Sequence, residues 1–289
     1  MTALEKLAEE RDEQKSARID RILAAAFKLF SSAGIEPVAM TDIAKKAEIG
    51  VASLYRYFST KDEIAIRTAI WAWEKQISEI YPSINNDEYT NGNGLFRLSI
   101  IFSLFKKLYM SQPEFLRFIY FFDSYAVNSG IKQERMIEYE NVIGKVQMIV
   151  ADAIKLGLKD NSINKKYIDK TENLYFTLMH SFFSTAQKLT LSENLLAMNE
   201  KSKGSDQLDL LSELLLNGVR KKAMTLTKID LTSSTTYIGN INEYGEKTYS
   251  GRFEKLIFNN EYSSDIECQK LNKIDTINIY YGQNQLGQV

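Results

Sequence analysis

An all-α fold ending in an extension of short β-strands is what this sequence predicts, and three observations carry that prediction. Only 17 of the 289 residues are helix breakers (14 Gly and 3 Pro), about half the usual share, so long helices can run unbroken. Apolar residues recur at helical spacing through most of the first 224 positions. After Met224 the texture changes to Thr, Tyr, Asn and Ile, with Gly239, Gly245 and Gly251 spaced six apart. Hydrophobic residues at 44% and charged residues at 25% are those of an ordinary globular chain, and this length prepares for about two domains.

A charged arm over residues 1–15 precedes the first clear helix, about Arg18 to Ala33. There Ile19, Ile22, Leu23, Ala26, Phe27 and Phe30 form one apolar stripe, and Gly34 stands where a left-handed C-terminal residue belongs. Thr41 is an expected N-cap for a short helix from Asp42 to Ala47, with Asp42 matched to the helix dipole. Glu48-Ile49-Gly50-Val51 connects it to a second short helix, Ala52 to Phe58. Ser59 or Thr60 then caps a longer helix from Lys61 to about Tyr81, ended by Pro82. Asn-Gly pairs between Asn85 and Gly94 mark a boundary. Helices follow at about 95–110, 113–127 (opened by a Ser111-x-x-Glu114 capping box), 132–157, 164–190 and 206–224. Thr235–Ile241, Arg252–Phe258 and Ile274–Tyr281 read as short strands. The expected divisions are thus 1–15, 16–81, 82–224 and 225–289.

Scarcity excludes chemistry. One His (His180) and one Cys (Cys268) leave no intramolecular disulfide and no multi-ligand zinc site, so neither metal nor cofactor is expected. Nothing around Leu178-Met179-His180-Ser181-Phe182 has the form of a nucleophile elbow, which argues against an enzyme. The uncharged stretch from Asn173 to Gln187 is too short and too polar to span a bilayer, and the N-terminus lacks a signal-peptide core. A cytoplasmic protein without a membrane partner is the expectation. A net charge of −1 exerts no global pull on nucleic acid, yet Lys15 to Arg67 carries nine Lys/Arg against six acids, a local +3.

Two short helices joined by a tight turn and backed by a supporting helix describe a helix-turn-helix DNA reader. The leading end of its second helix, Gly50-Val51-Ala52-Ser53, is small enough for the backbone to approach bases, and the Ser53 hydroxyl can meet a base edge or phosphate. Tyr55, Arg56 and Tyr57 offer aromatic and cationic contacts. Lys61 opens the next helix, where it can join that helix's free N–H groups on a phosphate.

At these residues the sequence resembles the tetracycline-repressor-type (TetR) transcriptional regulators. The resemblance rests on Ala25-Ala26-Phe27, Leu29-Phe30, Gly34, Val38-Ala39-Met40-Thr41-Asp42-Ile43-Ala44, Ala47 through Phe58, and Ser59-Thr60-Lys61-Asp62-Glu63-Ile64. It covers about 50 residues. It implies double-stranded operator DNA as partner, with contacts at Thr41, Val51, Ala52, Ser53, Tyr55, Arg56, Tyr57 and Lys61. Glu48 replaces the family's turn Gly and Gly50 its cap Ser; a turn needing φ > 0 would strain Glu48 by about 1 kcal/mol or more.

The resemblance further implies a variable helical domain enclosing a small-molecule effector. The aromatic-rich segments supply Phe105, Tyr109, Phe118, Phe122, Tyr125, Phe176 and His180 as candidate pocket residues. It also implies a homodimer through the last two helices, where Leu208, Leu211, Leu215 and Val219 lie on an apolar stripe. The expected function is a ligand-responsive regulator, a repressor released by an apolar effector; the alternative is a ligand- or protein-binding module that has lost its operator. Residues 225–289 net −2 and lie outside the resemblance.

Overall fold

A computed structural model describes residues 3–192 and 201–221, with short extended segments beyond. The chain divides into two units, Met1–Lys221 and Lys222–Val289. The second is described only at segments such as Thr225–Asp230, Ile238–Ile241 and Lys255–Asn259.

The first unit is all-α. Among its described residues the helices are α1 (Ala3–Ala33), α2 (Met40–Lys46), α3 (Val51–Tyr57), α4 (Lys61–Ile84), α5 (Asp87–Asn91), α6 (Gly94–Ser111), α7 (Pro113–Asn128), α8 (Ile137–Lys159), α9 (Thr171–Ser192) and α10 (Gly204–Val219). Three-residue and six-residue 3₁₀ turns precede α8 and α9.

The predicted stripe of α1 is the one that is buried: Ile22, Leu23, Ala26 and Phe30 are all 3% exposed or less. Phe118 of α7 receives it, with its ring 5.3 Å from Phe27 and 6.3 Å from Phe30. This aromatic contact joins the three-helix reader to the rest of the unit. Leu54, Phe58, Ile43 and Ala44 close the reader's own core. Behind it, α4 packs on α8 and α7, and α6 packs on α8, α9 and α10. Phe102 and Phe182 stack at 4.8 Å across α6 and α9.

Several local expectations need correction. Thr41 does not cap α2; Ala39 holds the cap position, and the Asp42 carboxylate accepts its N–H at 3.0 Å. An acid at the third helical position can satisfy that orphan donor without a capping hydroxyl. Pro82 lies inside α4, so near the end of the helix that it costs about one hydrogen bond. Two carbonyls there, of Pro82 and Ser83, are met by the Asn86 side-chain amide at 3.1 Å each. The stretch read as a loop contains α5, whose N–H at Tyr89 donates to Asn86. Finally, Ser111 belongs to α6 and bonds back to Lys107, so no capping box opens α7. Pro113 in the first turn needs no donor and starts that helix by itself.

Candidate DNA interface and effector cavity

The reading helix is short because the sequence stops it at both ends. Gly50 is the N-cap, and Phe58 leaves helical geometry with its side chain buried. Leu54 anchors the inner face. Val51, Ala52, Tyr55 and Arg56 are thereby turned to solvent, with Tyr55 half exposed, while Ser53 and Tyr57 are half-buried at the edges. An Arg56 N–H donates to Ser53 Oγ at 3.0 Å, which holds the guanidinium against the helix rather than loose in solvent. Thr41 is exposed on α2. Tyr55 is thus not a core residue.

Glu48 adopts φ = 57°, so the turn does need the left-handed region that the family's Gly supplies without strain. Its side chain is exposed.

Lys61 sits differently from the expectation. Its ammonium donates to the carbonyls of Ile35 (3.1 Å), Glu36 (2.5 Å) and Val38 (3.0 Å), all in the loop between α1 and α2. An ammonium has three donors, and all three are taken. Lys61 is therefore a clasp on that loop, and the free groups at this end of α4 are backbone. Thr60 caps α4 by accepting from Glu63 N–H (3.1 Å), while Glu63 accepts from Ser59 N–H (2.7 Å), a reciprocal capping box.

The same end of α4 is latched to the helical domain. Tyr125 of α7 donates to Asp62 Oδ1 at 2.7 Å, and Arg135 donates to Asp62 Oδ2 at 2.7 Å. The Tyr125 bond first, then Arg135, holds the Asp62 carboxyl below its ordinary value against the opposing effect of partial burial. It stays charged through the neutral range. One turn on, Arg67 pairs with Glu138 at the start of α8. Exposed pairs like these add little stability; what they fix is the angle at which α4 leaves the reader.

Farther along α4, a small apolar cavity of about 40 Å³ lies between α4, α6 and α8. Trp73, Ile77, Ile80 and Ile84 line it from α4, at i, i+4, i+7 and i+11. Ile101, Leu104, Phe105 and Leu108 face them from α6, and Val146, Ile149 and Val150 from α8. Gln76 brings the lining's one side-chain amide; it donates to Gln112 at 2.5 Å, which in turn donates to Glu79 at 2.5 Å.

Of the candidate pocket residues, only Phe105 lines this cavity. Phe118 and Phe122 are fully buried packing, and Tyr125 is the latch on Asp62. Tyr109 packs against the start of α10 at Gly204. Phe176 and His180 lie on the outer face of α9, their rings 5.5 Å apart. The cavity's walls are chiefly aliphatic, and aromatic content does not single them out in the sequence. The signal that would have found them is the α4 stripe, which continues apolar well beyond the reader it supports.

On α10, Leu208 and Val219 are buried within the unit, and Leu211 and Leu215 are half-buried against it. The outward apolar residues are Leu210 and Leu214, 57% and 62% exposed. The helix has two apolar sides: Leu208 and Val219 lie on the inner one, with Leu211 and Leu215 at its edge. Lys106 of α6 binds Asp209 through both carboxylate oxygens at 2.6 Å, tying α10 down in this orientation. No helix among the described residues is long and apolar enough to cross a membrane.

Residues 22–68 match the sequence profile of the bacterial regulatory proteins of the tetR family. The search for curated relatives returns no match. Among solved structures, the fatty acid degradation regulator FadR from Bacillus halodurans superposes with a TM-score of 0.54 at 16% identity, over 71% of this chain and 97% of its own. Bacillus subtilis FadR, solved with stearoyl-CoA, gives 0.52 at 15% identity over 69% and 98%. A transcriptional regulator from Saccharomonospora viridis, solved with choline, gives 0.52 at 17% identity over 72% and 100%. At these identities the structures establish a shared fold, which is all-α and gives the expected β-strand extension no support. Residues 22–68 are thus similar to the helix-turn-helix segment of the tetR family, and the helical unit around them shares the fold of the structures above.

Proposed function

We propose that the chain is a ligand-responsive repressor of the cytoplasm, which holds a palindromic DNA operator as a homodimer and is released by a small, largely apolar effector. The observation that carries this reading is the outer face of α3, where Val51, Ala52, Ser53, Tyr55 and Arg56 stand together over a buried Leu54. Thr41 and Tyr57 flank that face. Lys61 acts on DNA through the loop it clasps.

We divide the chain into an arm (1–15), the reader (16–81), an effector and dimer domain (82–224) and an extension (225–289) whose strands and role are left to experiment. The cavity between α4, α6 and α8 is the effector site. Its aliphatic walls, with no carboxylate and no charged group in the lining, favour an apolar chain over a quaternary ammonium such as choline. Pairing of α9 and α10 with a second copy covers Phe176, Leu210 and Leu214, and sets two readers about 34–36 Å apart. Effector binding changes that spacing through α4, provided the effector prefers one of the two states.

The test is a gel shift of the intact chain on its own upstream DNA. A retarded band that weakens with salt and needs both halves of a palindrome is expected. Arg56→Ala should lower affinity for every sequence, whereas Ser53→Ala should change which sequence is preferred. A second reading is favoured by the exposed carboxylate of Glu48 beside the reading helix: an effector-binding module without an operator. Effector binding with no DNA affinity at low salt would establish it instead.

A further inference from the structure

The cavity along α4 holds one polar feature that its aliphatic walls do not explain. Gln76 is a buried glutamine, 8% exposed, on the shoulder of the stripe that lines the void. An amide in an apolar wall costs free energy unless its groups are paired. Its two ends are treated differently. Gln76 Nε2 donates to Gln112 Oε1 at 2.5 Å, and Gln112, the residue that ends α6, is not part of the lining. Gln76 Oε1 accepts no hydrogen bond from the described residues, yet it is not sealed off from all surface.

Which end faces the void is set from outside it. Gln112 Nε2 donates to Glu79 Oε2 at 2.5 Å, and Glu79 is exposed one turn along α4 from Gln76. A carboxylate can only accept, so Glu79 takes the amide nitrogen of Gln112 and turns the Gln112 oxygen toward Gln76. That oxygen also can only accept, so it takes the Gln76 nitrogen and leaves the Gln76 oxygen for the cavity. An exposed carboxylate thereby decides the polarity of a buried wall. The lining's other polar side-chain atom, Trp73 Nε1, is itself buried and lies toward the Tyr139 hydroxyl. What the lining offers a ligand is an acceptor.

We propose that the effector is an apolar molecule carrying a hydrogen-bond donor, a hydroxyl or an amide N–H, which Gln76 Oε1 accepts, and that Glu79 sets this preference through Gln112. This rests on the effector reading of the cavity and is independent of DNA binding. At about 40 Å³ the closed cavity has room for a small polar group and little more, so the apolar body has to part α4 from its neighbours. A bare carboxylate would set two acceptors against each other.

Isothermal titration calorimetry of the full chain with two isomers, octanol and heptyl methyl ether, tests this. Both have the same atoms, but only the alcohol can donate. The parent should bind octanol about tenfold more tightly, within the range of one buried hydrogen bond. Gln76→Leu, which keeps most of the volume and removes the acceptor, should bind the two about equally. Glu79→Lys is the sharper variant, since a donor at that exposed position takes the Gln112 oxygen and reverses both amides. It should keep the parent's melting curve and bind the isomers about equally, because each can accept from an amide nitrogen. Equal affinities in the parent, or a preference that survives Gln76→Leu, overturns the proposal while leaving the cavity as an effector site. A preference lost in Gln76→Leu but kept in Glu79→Lys overturns the part assigned to Glu79. If the parent binds neither isomer, the effector reading of the cavity fails and the donor preference fails with it.

Discussion

Gly94→Ala should lower the unfolding midpoint by roughly 10 °C, one of the two largest effects expected of a single substitution in this chain. Gly94 opens α6 where its backbone crosses α8. A Cβ built there would lie 2.0 Å from Gly157 N and 2.4 Å from the Ala153 carbonyl oxygen. Backbone cannot swing aside as a side chain does, so the two helices must separate. They are also tied at this point by Gly94 N–H donating to Asp160 at 2.8 Å and Leu95 N–H donating to Ser162 at 3.1 Å. Overpacking costs about 1–3 kcal/mol where side chains can adjust; against backbone about 3 kcal/mol or more is expected. At about 2–4 °C per kcal/mol for a unit of this size, the shift follows. Gly144→Ala in α8 is the control: a Cβ there meets nothing within 4 Å, so the change should be neutral or stabilising by up to about 1 kcal/mol. Thermal unfolding of the two variants side by side checks the argument, and a midpoint for Gly94→Ala equal to the parent's would refute it.

Lys61→Met should destabilise the reader by about 2–3 kcal/mol, because the clasp on the α1–α2 loop vanishes while the aliphatic stem is kept. Hydrogen bonds to a charged group contribute about 1.5–3 kcal/mol each, less here because Glu36 is open to solvent. The lost donor leaves the part-buried Val38 carbonyl without that partner, while the Ile35 carbonyl keeps the Val38 N–H at 3.3 Å. This variant separates two roles for the lysine. A phosphate contact predicts an unchanged melting point and a salt slope lower by about one. The clasp predicts a lower melting point, faster amide exchange through α2, and a loss of affinity shared by all DNA sequences. Thermal denaturation and hydrogen exchange on the same sample decide between them.

Most of the reader was legible because its signals are local. Alternation of Leu54 and Phe58 with exposed neighbours sets which face of α3 is wet, and Gly34 and Gly50 punctuate the helices on either side. Even the strain at Glu48 followed from its place in the turn. Lys61 is ambiguous in sequence because a lysine at a helix start looks the same whether it faces a phosphate or three carbonyls. Only the path of the loop from Ile35 to Val38, set by tertiary packing, tells them apart. The cavity was harder still. Its walls come from α4, α6 and α8, and nothing in a single helix distinguishes Leu104 beside a void from Leu98 in full contact. The aromatics that drew attention mostly solve packing problems: Phe118 joins α1 to α7, and Phe182 stacks on Phe102. Tyr125 is the instructive case. The sequence offers it as a pocket wall, whereas its hydroxyl donates to Asp62 at the start of α4.

The proposed function turns on the start of α4 as a hinge: what fills the cavity along α4 would be felt at the DNA, through a helix whose first two turns are held by Tyr125, Arg135 and Glu138. It can be tested without knowing the effector. Val150 is 1% exposed in the cavity wall, so the ring of Val150→Phe fills the small space there and presses on α4. Affinity of this variant for the upstream DNA, measured by anisotropy beside its melting curve, is the most direct measurement. A folded variant bound about tenfold more weakly is the predicted result, within the usual range of coupling between two sites. A folded variant whose binding isotherm overlays the parent's would contradict it.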